Sequence, residues 1–155
     1  MSQTFTIDEL VPHSGDMSFL DAVVDSGPEF LSAVAQVHDN NPFLVDEAVS
    51  AWVGVEFMAQ GIAAWAGIQA KLSNQPIRAG FLVGTRKFEC NKAKIELGTK
   101  LDIYVEQIMV SANGLSVFSC TLSGECLHAK ANINVFQPKD VELFMKTEKG
   151  NSEEK

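Results

Sequence analysis

AVSAWVGVEFMAQGIAAWAGIQAKL, residues 48–72, is apolar or small at nearly every one of its 25 positions. Two polar residues interrupt its centre, Glu56 and Gln60, and they stand four apart. In a helix that spacing projects both side chains from one face, one turn above the other. A helix that is apolar all round must be buried by the rest of its protein. A carboxylate inside such a helix is costly unless a cleft or a partner reaches it, so Glu56 marks the place to look for chemistry. A buried glutamate can also be held by a cation for structural reasons alone. The run is long enough to cross a bilayer, but its central Glu56 and Gln60, its several Gly and Ala and its lack of a basic N-terminal flank predict no membrane span.

On the N-terminal side, residues 43–47 read as a loop and Asp39-Asn40-Asn41-Pro42 as a break. Before it, residues 30–37 alternate with the two-residue period of a strand, and residues 19–25 form a second one. The turn residues from Asp25 to Pro28 join these two as a hairpin. Further out, PHSGDM fixes His13 and Asp16 in a loop, and residues 6–11 make a short helical entry that Pro12 stops. On the C-terminal side, Ser73 to Pro76 end the helix, and the pattern turns to strands at 79–90, 100–111, 115–124 and 126–136. Asn113-Gly114 is the strongest turn signal, because both residues tolerate positive φ. After Gln137-Pro138 the apolar content fades, and the charged stretch from about 147 onward reads as a disordered tail behind a single domain over 1–146.

Two strands, one long apolar helix and four more strands make an α+β chain. Stacking on a flat sheet leaves much of the helix bare, so a curved antiparallel sheet must bend around it and a second copy completes the cover. The formal net charge of −8 excludes a general nucleic-acid binder, since phosphate neutralisation needs clustered Lys and Arg. Cys90, Cys120 and Cys126 form no CxxC pair and read as reduced thiols, neither a disulfide framework nor a zinc site. No secretory signal is visible at the N-terminus, which makes the cytoplasm the expected location.

PHSGDMSFLD, PFLVDEAVSAWVGVEFMAQ, GFLVGTRKFEC and ANINVFQP, in that order, resemble the hot-dog-fold 3-hydroxyacyl-[acyl-carrier-protein] dehydratases, and within them the ApeP-like branch of aryl polyene biosynthesis. The resemblance covers nearly the whole chain. It implies a hot-dog fold, a dimer of like or unlike chains, and dehydration of a 3-hydroxyacyl thioester on the phosphopantetheine arm of acyl carrier protein to the trans-2-enoyl thioester. It also implies a catalytic pair, a histidine and a helix-borne acid. Glu56 occupies the acid's place, while the family's usual histidine position, fourteen residues earlier, holds Pro42. His13, in the Pro-His loop shared with the branch, takes the role in preference to His38, which looks like a solvent-facing strand end. His128, within an alternating strand, reads as structural or exposed.

Removing water across C2 and C3 needs a base for the C2 proton and an acid for the departing hydroxyl. A neutral imidazole, with an ordinary pKa of about 6.5, accepts the proton. A carboxyl in an apolar setting is pushed toward its protonated, donating form. Gln60 is placed to orient the carboxyl or a water, and backbone N–H groups at the helix start or near Gly84 to polarise the thioester carbonyl. Trp52, Phe57 and Phe81 are expected to line the acyl chain, though each could equally be plain core. Without a Gly-rich phosphate loop or a spaced His/Cys set, no cofactor is expected beyond the substrate's own pantetheine. Two other functions fit the same residues: an acyl thioesterase, with the carboxylate activating water, and a silent carrier-protein-binding subunit of a heterodimeric dehydratase.

Overall fold

A computed structural model describes residues 19–74 and 81–136, the side chains of 81–83 excepted. His13, the entry segment at 6–11 and the tail beyond 147 therefore lie outside the described residues. Among the described residues, eight strands and one long helix follow in the order β1 (Leu20–Ser26), β2 (Phe30–Gln36), β3 (Ala48–Ser50), α1 (Gly54–Leu72), β4 (Phe81–Cys90), β5 (Lys94–Glu96), β6 (Lys100–Val110), β7 (Leu115–Gly124) and β8 (Leu127–Phe136). Six of the strands make one antiparallel sheet in the order β1-β2-β6-β7-β8-β4, and β3 pairs separately with β5.

Register turns the two-residue sequence period into a continuous apolar floor. Leu31, Val105, Cys120 and Ala131 face one another across β2, β6, β7 and β8, and Ala33, Ile103, Leu122 and Ala129 form the next row. All eight are nearly inaccessible to solvent. A one-residue slip in any of these strands would turn its apolar set outward, so burial of one face specifies the pairing. Helix α1 lies on this floor with Phe57, Met58, Ile62, Ala64 and Ile68 buried against it. Gly61 lets it come close: a Cβ there would stand 3.2 Å from Ile103 Cγ2 and 3.3 Å from Val105 Cγ1. Farther along, Trp65 Nε1 and Gln69 Nε2 donate to the Gly27 carbonyl at 3.2 and 3.0 Å, tying the helix to the β1-β2 turn.

The helix is shorter than its apolar run. Residues 48–50 pair with β5, and Ala51–Val53 form a 3-10 turn capped by the Ser50 hydroxyl, which accepts from the Trp52 N–H at 3.4 Å. A nonlocal ladder with Lys94–Glu96 outweighs the helical pattern there. Nor is the helix buried all round, because one sheet covers one face. Val55, Glu56, Ala59, Ala63 and Ala66 are only half-buried within the single chain. The 111–114 turn also differs in detail: Gly114 alone carries positive φ (97°), while Asn113 uses its side-chain oxygen to accept from the Leu115 N–H at 3.2 Å. No helix among the described residues is long and apolar enough to cross a membrane.

Candidate functional site

Glu56 sits in the first turn of α1, and Gln60 follows one turn later on the same side. Gln60 is 1% exposed. A buried amide needs partners for both its ends, and Gln60 has them. Its Oε1 accepts from the Phe19 backbone N–H at 2.8 Å, and its Nε2 donates to Glu56 Oε1 at 3.2 Å. The half-buried carboxyl of Glu56 thus meets an oriented donor at the end of a rigid helix. The element that completes this arrangement is the entry to β1. There the Phe19 ring packs 5.0 Å from Phe57 and edge-on, at 6.0 Å, to Phe43, building an aromatic wall beside the polar pair.

Phe57 is fully buried as part of the main core. Trp52, in contrast, is 65% exposed and stacks on Phe88 of β4 with ring centroids 4.6 Å apart. An indole half-stripped of cover on the 3-10 turn presents a flat apolar surface outward, away from the core side of the helix. Phe81 opens β4, and its side chain lies outside the described residues. Gly84 stands where β4 slips by one residue against β8, between the pairs Leu82↔Val135 and Gly84↔Asn134, with no atom within 4 Å of the place a Cβ would take.

His38 follows β2 on the surface, where its Nε2 lies 2.8 Å from Asp21 Oδ1. That partnership is invisible in the sequence, since the two residues meet only through the β1-β2 pairing. His128 is exposed on β8. Cys120 is fully buried, and burial pushes its thiol up to about 12, which removes it as a nucleophile. An open groove of about 860 Å³ elsewhere sets Lys92, Lys94 and Lys100 among Glu96, Asp102 and Glu125 and contains none of the residues around Glu56.

Phe19 is the site residue that sequence reading overlooks. Its contribution comes from a backbone N–H and from ring packing, neither of which has a local signature.

The family model for ApeP-like proteins, described as ApeP dehydratase, matches residues 5–146 of the chain. Among solved structures, the dehydratase heterocomplex ApeI:P from Xenorhabdus doucetiae is 23% identical with a TM-score of 0.83, covering 94% of this chain and 99% of that one. The PaaI protein from the phenylacetic acid degradation operon of E. coli is 8% identical at a TM-score of 0.57, over 74% of this chain and 81% of its own. The smu.793 protein of Streptococcus mutans, solved with acetyl CoA, is 15% identical at 0.52, over 74% and 85%. These likenesses establish the hot-dog fold: a long helix packed on a six-stranded antiparallel sheet. No curated protein matches the sequence.

Proposed function

This chain belongs to the ApeP-like dehydratase family, and from that membership we propose that it removes water from a 3-hydroxyacyl thioester carried on acyl carrier protein, leaving the trans-2-enoyl thioester, in aryl polyene biosynthesis. The observation that carries the proposal is Glu56, held on the helix by Gln60 beside an aromatic wall. The carboxyl protonates the departing C3 hydroxyl, and the imidazole of His13 takes the C2 proton. General acid and base contributions of this kind are each worth about 10²–10⁴-fold. The open space at Gly84 lets a thioester carbonyl approach the β4 backbone. The pantetheine arm comes with the substrate, so the reaction calls for no further cofactor.

The same reading includes a partner. Among the described residues the outer side of α1 is half-covered, and Trp52 is 65% exposed where it stacks on the partly buried Phe88. Exposed apolar surface of this kind suits an interaction site. The structure from Xenorhabdus doucetiae is a dehydratase heterocomplex, ApeI:P, and a related dehydratase is the partner proposed here.

The test is the mass of a 3-hydroxyacyl carrier protein before and after incubation with the enzyme and its co-purified partner. Loss of one water is expected with the parent. None is expected within the same time for Glu56→Gln, and at least a 100-fold slower loss for His13→Ala. Release of free carrier thiol, which signals hydrolysis, or full activity of Glu56→Gln would overturn the proposal.

A further inference from the structure

The loop that leads from β2 toward the helix is built inside out. From His38 to Phe43 it is exposed at every residue except Asn41, which is 8% exposed, while Phe43 stands 44% open to solvent. Asparagine is ordinarily a surface residue and phenylalanine a core one, so the burial of Asn41 needs a reason. Part of the reason is the loop itself. The Asn41 N–H donates to the His38 carbonyl at 3.2 Å, its carbonyl accepts from the Leu44 N–H at 3.1 Å, and its side-chain Oδ1 accepts from the Phe43 N–H at 2.9 Å. A backbone N–H can only donate, so the oxygen end of the amide is settled and the NH₂ is the other end. That NH₂ meets no acceptor among the described residues. A buried donor left unmet is rare and costly, and an acceptor brought by a ligand would satisfy it.

The surroundings indicate which ligand. Phe43 packs edge-on to Phe19 at 6.0 Å, and Phe19 donates its backbone N–H to Gln60, which in turn donates to Glu56. Exposure rises outward along this path, from 1% at Gln60 through 3% at Phe19 to 44% at Phe43. On the dehydratase reading above, the reacting carbons sit at the buried end and the arm that carries them leaves past Phe43. Resting on that reading, we infer that Asn41 is a binding residue for the pantetheine arm, its NH₂ donating to the carbonyl of the amide nearest the sulfur. That carbonyl is the first acceptor on the arm beyond the thioester, and every pantetheine-borne substrate has it whatever its acyl chain. Asn41 thus reads the arm and not the acyl group.

Asn41→Asp tests this, because aspartate keeps an oxygen for the Phe43 N–H but puts an acceptor where the donor stood. The measurement is calorimetric binding of two ligands to the enzyme with its co-purified partner. One is a saturated acyl thioester of pantetheine, which has no hydroxyl to lose; the other is the same acyl group on butanethiol, which has no amide. A hydrogen bond to a ligand is worth on the order of tenfold, so Kd for the pantetheine thioester should rise by about that factor. Kd for the butyl thioester should stay within about twofold of the parent's. If the Asp variant does not fold, Asn41→Ser offers an oxygen to the same N–H without the amide, and the same contrast is expected. Equal weakening of both ligands, the mark of a role in loop shape alone, overturns the inference, as does parent-like binding of both. The dehydratase reading is judged apart, by the mass of the carrier-borne substrate: full activity of Glu56→Gln there, with the contrast at Asn41 intact, leaves a pantetheine site without that chemistry.

Discussion

Replacing Gly61 measures how tightly the helix is seated on its sheet. An added Cβ would meet Ile103 Cγ2 at 3.2 Å and Val105 Cγ1 at 3.3 Å, so these neighbours must yield by a few tenths of an ångström. Both are β-branched, stiff at χ1 and almost wholly buried, on adjacent rows of the floor. Relief therefore has to come from the backbone. Overpacking of this kind costs about 1–3 kcal/mol, and alanine returns about 1 kcal/mol of helix propensity over glycine. The net loss for Gly61→Ala is about 1 kcal/mol, or about 3 °C in Tm at this chain length. Gly61→Val adds two further methyls and regains less propensity, giving a loss of about 3 kcal/mol and about 9 °C. Calorimetry or far-UV circular dichroism of the two variants beside the parent reads both values. A Tm for Gly61→Ala above that of the parent would refute the reasoning, because it would mean that propensity acts unopposed and a gap separates helix from sheet.

Gly84→Ala should behave in the opposite way: its Cβ meets nothing and its φ is not positive, so Tm should hold or rise with about 0.5 kcal/mol of added stability. If the thioester carbonyl approaches there, dehydration by the same variant falls, and the pairing of unchanged Tm with lower kcat/KM checks it. Trp52→Ala should weaken association with the proposed dehydratase partner by about tenfold or more in sedimentation while leaving Tm within a few degrees, since aromatic anchors dominate interfaces. Cys120, its thiol raised to about 12 by burial, should resist maleimide in the folded protein while the exposed Cys126 reacts first, as mass mapping would show. The sign of its linkage follows: the folded-state value lies above the unfolded one of about 9, so Cys120's contribution to stability is full below that pH and drains away as pH rises toward 12. Urea titrations across that window should show stability falling, with Cys120→Ala flattening part of the decline.

Strands β2, β6, β7 and β8 are legible because their apolar residues alternate and their turns carry Gly or Asn. Helix α1 is legible because so uniformly apolar a run calls for cover, which the sheet supplies on one face. Its first residues are misread since Ala48-Val49-Ser50 has no pattern that separates a short strand from helix, and its partner Lys94–Glu96 lies far along the chain. The Glu56–Gln60 contact follows from helical spacing alone. What holds Gln60 does not, because a backbone N–H is the same at every residue and only the path of β1 brings that of Phe19 into place. The exposure of Trp52 escapes the pattern for a related reason: the 3-10 turn breaks the helical phase that linked it to Glu56.

Among the described residues strand β4 is an edge of the sheet, and it slips register twice against β8, the second time around Lys87, whose φ is 56°. Arg86, Lys87 and Glu89 are exposed along that stretch. An incoming strand finds regular amides and carbonyls on only part of this border, and a kink with charged side chains on the rest. Strand addition along this border is thereby confined to its regular part, since the kink at Lys87 breaks the flat template that stacking into fibrils needs.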